Sequence, residues 1–194
     1  MGLLPVPWSE RRLVSTIKKE LGLGSPRRAR IAAVGPTGQC YKNCDLFVSR
    51  HGGSVRYGWL AIGIPNKFIV LEHHAIVLAD SGEYIDATEF AGAPIQETVI
   101  FIDNSTTPCR DYPPFIANKF LAFTGHGNAM EAYRRADEYK LSILRRLVDE
   151  AKRQGVPWVS GKGVSGLRVN AEVSEIQEGL RKSEEMMKEA QDYW

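Results

Sequence analysis

No stretch of this chain stays apolar for long. The longest uncharged apolar runs, such as Phe68–Leu71 and Ala75–Ala79, fall far short of the ~20 residues that a membrane-spanning helix needs. The opening MGLLPVPWSERR has no cationic region ahead of an apolar one, so no secretory signal is expected. It begins Met-Gly, but Val6 occupies the position where N-myristoylation needs Ser or Thr. Cysteine is scarce, with only Cys40, Cys44 and Cys109. Three thiols and no signal fit a reducing, cytoplasmic compartment better than a disulfide framework. A CxxC pair, a Walker loop, a GxGxxG and an HExxH are all missing, so the nucleotide, zincin and structural-zinc readings lack support. Neither a cofactor nor a metal is expected.

Charge of one sign is lacking too. The net charge is +2 over 194 residues, and 43% of the residues are hydrophobic. That composition is ordinary for a soluble globular protein rather than a disordered one. At this length a core can form without staples. The charge is unevenly placed, however. Residues 1–50 carry nine Lys/Arg against three Asp/Glu, residues 51–125 four against eight, and residues 126–194 twelve of each. A basic N-terminal third, with Arg27, Arg28 and Arg30 at its centre, would suit a nucleic-acid face. The alternative is internal complementarity or a solvated surface, since only clustered basic faces make a binding footprint.

Local pattern predicts the elements. Ser9 is a candidate N-cap for a helix over 9–21, where Leu13, Ile17 and Leu21 recur every four residues. Arg27–Arg30 reads as a basic linker, followed by the apolar run Ile31–Val34. A second helix is expected from about Gln39 to Arg50, ended by His51-Gly52-Gly53. Strands are expected over 54–64, 67–79 (one strand or two short ones) and 97–103, with Ala75–Asp86 forming a hairpin around Asp80-Ser81-Gly82. A Pro-rich loop through Pro108, Pro113 and Pro114 follows. Asn128 and Glu131 look like a capping box that opens a long helix. A terminal helix from about Ala171 carries Val173, Ile176, Leu180, Met187, Ala190 and Trp194 at three-four spacing. Such a stripe docks on its own core or accepts a partner helix.

One ordered set of residues can carry chemistry. Cys40 follows a Gly-Pro-Thr-Gly-Gln loop and starts a predicted helix, where the positive end of the helix dipole favours a thiolate. A thiol nucleophile also needs a base, and the base needs an orienter. His74 lies on a strand and Asp86 on the next. A three-residue loop at Asp80-Ser81-Gly82 pairs Asp86 with Ile76 and puts it on the His74 face. A two-residue turn pairs it with Val77 on the wrong face. Each residue also has a plainer use. Cys40 and Cys44, four apart on one helix face, can both be core. His73 and His74 point to opposite faces, so at most one serves a given site. Asp86 can simply start a turn with Thr88. Cys40 and Cys44 with His73 or His74 are the rival metal set, short of good ligand spacing.

Gly38-Gln39-Cys40, His74-Ala75 and Tyr84-Ile85-Asp86-Ala87-Thr88 resemble the Cys, His-Ala and Asp-x-Thr elements of transglutaminase-like and papain-like cysteine enzymes. Cys40–Thr88 is also similar to an uncharacterised group of bacterial and phage proteins, through Cys40, Asn43, Gly52, Gly53, Gly58, Trp59, His74, Gly82 and Asp86. Ile76 stands where that group has Val. A second likeness competes: Asn43-Cys44-Asp45-Leu46-Phe47-Val48 resembles the nucleophile helix of papain-like peptidoglycan-cleaving peptidases, which would make Cys44 the nucleophile. That family's usual glycine after the nucleophile is absent, and no export signal accompanies the likeness.

The expectation is therefore an α+β fold. A helix carrying Cys40 packs on an antiparallel sheet, with residues 1–125 as a papain-like core and 126–194 as a helical extension. The expected chemistry is thiol-dependent acyl transfer or hydrolysis of an amide or ester, of protease, amidase, deamidase or transglutaminase type. Cys40 attacks, His74 serves as base and Asp86 orients it. The Cys40 amide and the Gln39 side chain are oxyanion-hole candidates. The substrate class is protein or peptide, with no membrane partner. The alternative is a non-catalytic module on the same fold that binds protein or nucleic acid.

Overall fold

The computed structural model describes residues 3–64, 66–89, 98–104, 116–159 and 163–193. The fold is α+β. Cys109, the Pro-rich loop, Glu97 and Trp194 lie outside the described residues. The chain divides into two compact units, Gly2–Pro65 with Ile69–Pro108, and Asn66–Phe68 with Cys109–Trp194. No helix among the described residues is long and apolar enough to cross a membrane.

The first unit runs β1 (Leu4–Pro5), α1 (Arg11–Leu21), β2 (Pro26–Gly35), α2 (Cys40–His51), β3 (Ser54–Ile64), β4 (Phe68–Leu78), β5 (Tyr84–Thr88) and β6 (Thr98–Asp103). Its strands are ordered β1-β3-β6-β2-β5-β4, and β3 also pairs with β4, so five of them close into a ring. The sheet is mixed rather than antiparallel. β2 and β5 run parallel, because the chain returns between them through α2 and the β3–β4 hairpin, the long crossover that a parallel pair requires.

All five ring strands contribute to one apolar cluster. Ala29, Leu60, Ile76, Val99 and Phe101 are buried there, with Ile31, Ile62 and Tyr84 packed beside them. The opposite face of β4 and β5 carries Ala75, Val77, Ile85 and Ala87, and α2 covers it with Cys44 and Phe47. Two glycines permit close approach. A Cβ on Gly58 would lie 2.1 Å from the Ile102 carbonyl oxygen. One on Gly35 would lie 2.1 Å from Asn43 Oδ1.

Several local expectations are corrected. The supposed basic linker Arg27–Arg30 is strand, with Arg27 opposite Phe101 and Arg30 opposite both Thr98 and Ile85. Its arginines are exposed while Ala29 alone of the four is buried, and the apolar run Ile31–Val34 of the same strand begins only after them. Arg30 is engaged by Glu83, Nε to Oε1 at 2.8 Å. Ser9 does not cap α1. The cap position is Glu10, without a side-chain bond.

The second unit contains β7 (Lys119–Ala122), α3 (Gly127–Arg153), a small ladder of β8 (Trp158–Val159) with β9 (Gly163–Val164), and α4 (Ala171–Gln191). The Asn128–Glu131 capping box is absent. α3 begins one residue before Asn128, at a His126 cap with no side-chain bond. Glu131 is occupied by Arg134 and Arg135. Asn170 caps α4 instead, accepting from the Val173 amide at 2.8 Å. Val173, Ile176, Gly179, Ser183 and Ala190 form the buried face of α4. Gly179 lets α4 approach α3, since a Cβ there would sit 2.6 Å from Ile143 Cδ1.

Candidate active site

The hairpin register places the candidate base and its orienter. Val77 pairs with Ile85 and Leu78 with Tyr84, which continues to Ile76 opposite Asp86. The Ala79 amide donates to the Glu83 carbonyl at 2.9 Å and the Gly82 amide to Ala79 at 2.8 Å. The loop is therefore the three residues Asp80-Ser81-Gly82, with Gly82 in the left-handed region at φ 84°, as such loops require. His74 and Asp86 thus lie one diagonal step apart on the face of Ile76. His74 Nε2 stands 3.0 Å from Asp86 Oδ2.

Both groups are buried, Asp86 completely and His74 to 6% exposure. Burial is the largest influence on His74 and disfavours the imidazolium. The negative charge and hydrogen bond of Asp86, together with Cys40, outweigh it and hold the ring's pKa well above the ordinary 6.5. A hydrogen bond between the His74 and Cys40 side chains is part of that balance. With Nε2 turned to the carboxylate, Nδ1 is the nitrogen left for the thiol.

Cys40 is the first residue of α2 and is half-buried. Four residues on along the helix, Cys44 sits fully buried in the cluster against which Cys40 also packs. Burial, then the neighbouring Cys40, Asp86 and Asp45, push the Cys44 thiol far up, out of thiolate range. His73 also turns away from His74. Its Nδ1 lies 2.8 Å from the Tyr41 hydroxyl, in hydrogen-bond contact, and its ring stands perpendicular to that of Trp59 with centroids 5.6 Å apart. Burial first, then the positive charge of His74, lower the His73 pKa to about 4, so that ring is neutral at neutral pH.

The pattern of titratable residues gave no hint of a second tie. Asp86 Oδ1 accepts from the Thr88 amide at 3.0 Å. Asn43, 3% exposed, donates from Nδ2 to the Pro36 carbonyl at 2.9 Å and to Thr88 Oγ1 at 3.3 Å. The Glu89 amide donates to the Gly35 carbonyl at 2.9 Å, and the Thr37 hydroxyl donates to the Glu89 carbonyl. The loop before Cys40 is thus sewn to the end of β5. The available signal was spacing: Asn43 lies one helical turn from Cys40, and Thr88 lies two residues from Asp86. Gln39 holds the N-cap position of α2 without a side-chain cap bond. Among the described residues no group of three or more His, Cys, Asp or Glu is arranged to hold a metal ion.

Comparison with protein-family models, curated proteins and solved structures finds no match to this chain.

Proposed function

We propose that the protein is a cysteine-dependent acyl-transfer enzyme acting on an amide or ester of a protein or peptide, with a core of the papain-like or transglutaminase-like kind. One observation carries the reading. A half-buried thiol at a helix start shares a buried imidazole with a buried carboxylate, the arrangement that activates a sulfur nucleophile.

In this reading His74 takes the Cys40 proton at Nδ1. The sulfur attacks the substrate carbonyl carbon, and the carbonyl π electrons move onto oxygen. The Cys40 amide and the Gln39 side chain are the donors offered to that oxyanion. As the carbonyl re-forms, the bond to the leaving nitrogen or oxygen breaks and the His74 proton goes to the leaving group. The resulting thioester is attacked by water or by an amine. That acceptor gives a proton back to His74, and Cys40 is released. Asp86 holds Nε2 and favours the imidazolium. Cys44 suits the nucleophile role poorly, since it is fully buried and its thiol resists ionisation. The chemistry needs Cys40 reduced, which suits a cytoplasmic location.

The test is limited alkylation with iodoacetamide near neutral pH, followed by peptide mapping. Cys40 is expected to react faster than Cys44 and Cys109, and to slow when His74 is changed to Ala. Equal rates at all three thiols, or dominant labelling of Cys44, would overturn the assignment.

A further inference from the structure

The interactions around Cys40 form a chain that leads back to its own helix. Cys40 acts electrostatically on His74. His74 Nε2 meets Asp86 Oδ2 at 3.0 Å. Asp86 Oδ1 takes the Thr88 amide at 3.0 Å. Thr88 Oγ1 takes Asn43 Nδ2 at 3.3 Å. Asn43 is on α2, one turn beyond Cys40. We infer that Asn43 and Thr88 are positioning residues that fix the Cys40 sulfur against His74, an inference that rests on the catalytic reading above.

The physical argument starts from how α2 is anchored. Most of its apolar contacts, through Cys44 and Phe47, lie on the sheet face away from His74. The same cluster takes Cys40 and Tyr41 of the first turn, and the Tyr41 hydroxyl meets His73 Nδ1 at 2.8 Å, but none of these contacts is a hydrogen bond to the loop before Cys40 or to Thr88. The Asn43 amide adds those ties at two points. One Nδ2 hydrogen holds the loop that leads into Cys40, through the Pro36 carbonyl. The other holds the strand that carries Asp86, through Thr88 Oγ1. Both partners accept, and Asn43 Nδ2 has two hydrogens to give, so one planar group satisfies both. Its oxygen lies against Gly35, where a Cβ would stand 2.1 Å away, so the amide is held from three sides. Thr88 has two tasks as well: its amide orients the Asp86 carboxylate and its hydroxyl receives Asn43. A change at this hydroxyl alters no reacting atom, yet it frees the helix start from the strand on which the imidazole's partner sits.

The experiment measures the alkylation rate of Cys40 by iodoacetamide across a pH series in the wild type, Thr88→Val, Thr88→Ser, Gly35→Ala and His74→Ala. Melting temperatures are recorded alongside. Thr88→Val keeps the shape and the backbone amide and removes only the hydroxyl. It is expected to slow Cys40 alkylation below neutral pH about tenfold, because small misplacements of a reacting pair carry large rate effects. Thr88→Ser restores the hydroxyl and is expected to restore the profile. Gly35→Ala displaces the same amide from its other side and is expected to behave as Thr88→Val does, which keeps the proposal testable should Thr88→Val fail to fold. A Thr88→Val or Gly35→Ala profile that superposes on the wild type, while His74→Ala shifts it, overturns the positioning role and leaves the catalytic reading standing. Equal slowing by Thr88→Val and Thr88→Ser also overturns it, since the hydroxyl would then not be the cause. A His74→Ala profile that superposes on the wild type overturns the catalytic reading and this inference with it.

Discussion

Changing Asp86 to Asn removes one buried charge and little else. Asp86 is 0% exposed. The side-chain amide has the same shape and can keep an oxygen for the Thr88 amide, the partner of Oδ1 at 3.0 Å. What is lost is the negative charge 3.0 Å from His74 Nε2. The folded protein holds the His74 proton more tightly than the usual pKa of 6.5 implies, because Asp86 and Cys40 together outweigh the effect of burial. A proton bound more tightly in the folded than in the unfolded state stabilises the fold wherever the folded ring is charged. That contribution is complete below the unfolded pKa and disappears as pH rises through the higher folded value. In the low range the substitution strands a buried imidazolium, and breaking a buried pair in this way costs about 3–5 kcal/mol. Above the folded pKa the ring is neutral, and only an ordinary hydrogen bond is exchanged, a loss of about 1 kcal/mol. Urea unfolding of both proteins, from about pH 6 upward with unchanged slope, reads the difference directly. The gap between wild type and Asp86→Asn should be widest at the acid end and narrow as pH rises. A gap that stays constant would show His74 to be neutral throughout, and a gap that widens with pH would reverse the sign. Either result refutes the reasoning.

The two thiols of α2 should respond oppositely to substitution. Cys40→Ala, at a half-buried helix start, should leave the melting temperature nearly unchanged. Cys44→Ser puts a hydroxyl into a fully buried apolar cluster and should cost about 1–3 kcal/mol, read from thermal melts. Gly58→Ala drives a Cβ to 2.1 Å from the Ile102 carbonyl and 2.6 Å from the Phe101 ring. It should destabilise by about 3 kcal/mol, measured as a lowered urea midpoint. Arg30→Ala should change stability by less than about 1 kcal/mol. Its ion pair with Glu83 is close to half exposed on both sides, and a larger loss in the same titration would give the pair a structural role it lacks here.

What the sequence exposes and what it hides follow from the kind of force involved. The β4–β5 hairpin was readable because Gly82 can take φ 84° in a loop whose flanks are apolar. Only the loop length stood open, and with it the face of Asp86. Only the second half of strand β2 was readable, in the apolar run Ile31–Val34, because the first half buries Ala29 and presents three arginines outward. Its strand character comes from pairing with β5 and β6, a tertiary effect that overrides composition. Caps failed for the opposite reason. Ser9 and Asn128 have the right chemistry in the wrong place: α1 and α3 begin at Glu10 and His126 without side-chain bonds. Asn170, a working cap, stands just before Ala171, where the apolar pattern puts the start of the terminal helix and where α4 begins.

The candidate site divides along the same line. Cys40, His74 and Asp86 stood out because they are titratable and fall in an order that chemistry recognises, and the structure brings the three together. Asn43 and Thr88 carry no charge, lie 45 positions apart, and meet only because Gly35 leaves room for an amide against the backbone. A pattern of titratable residues finds groups that can react. It is blind to neutral groups that hold them, since an amide and a hydroxyl are as common on a solvated surface as in a buried tie. Only the fold separates the two cases, by burying Asn43 to 3% exposure with both Nδ2 hydrogens directed at acceptors, a state that an amide with no structural task would not hold against the cost of desolvation.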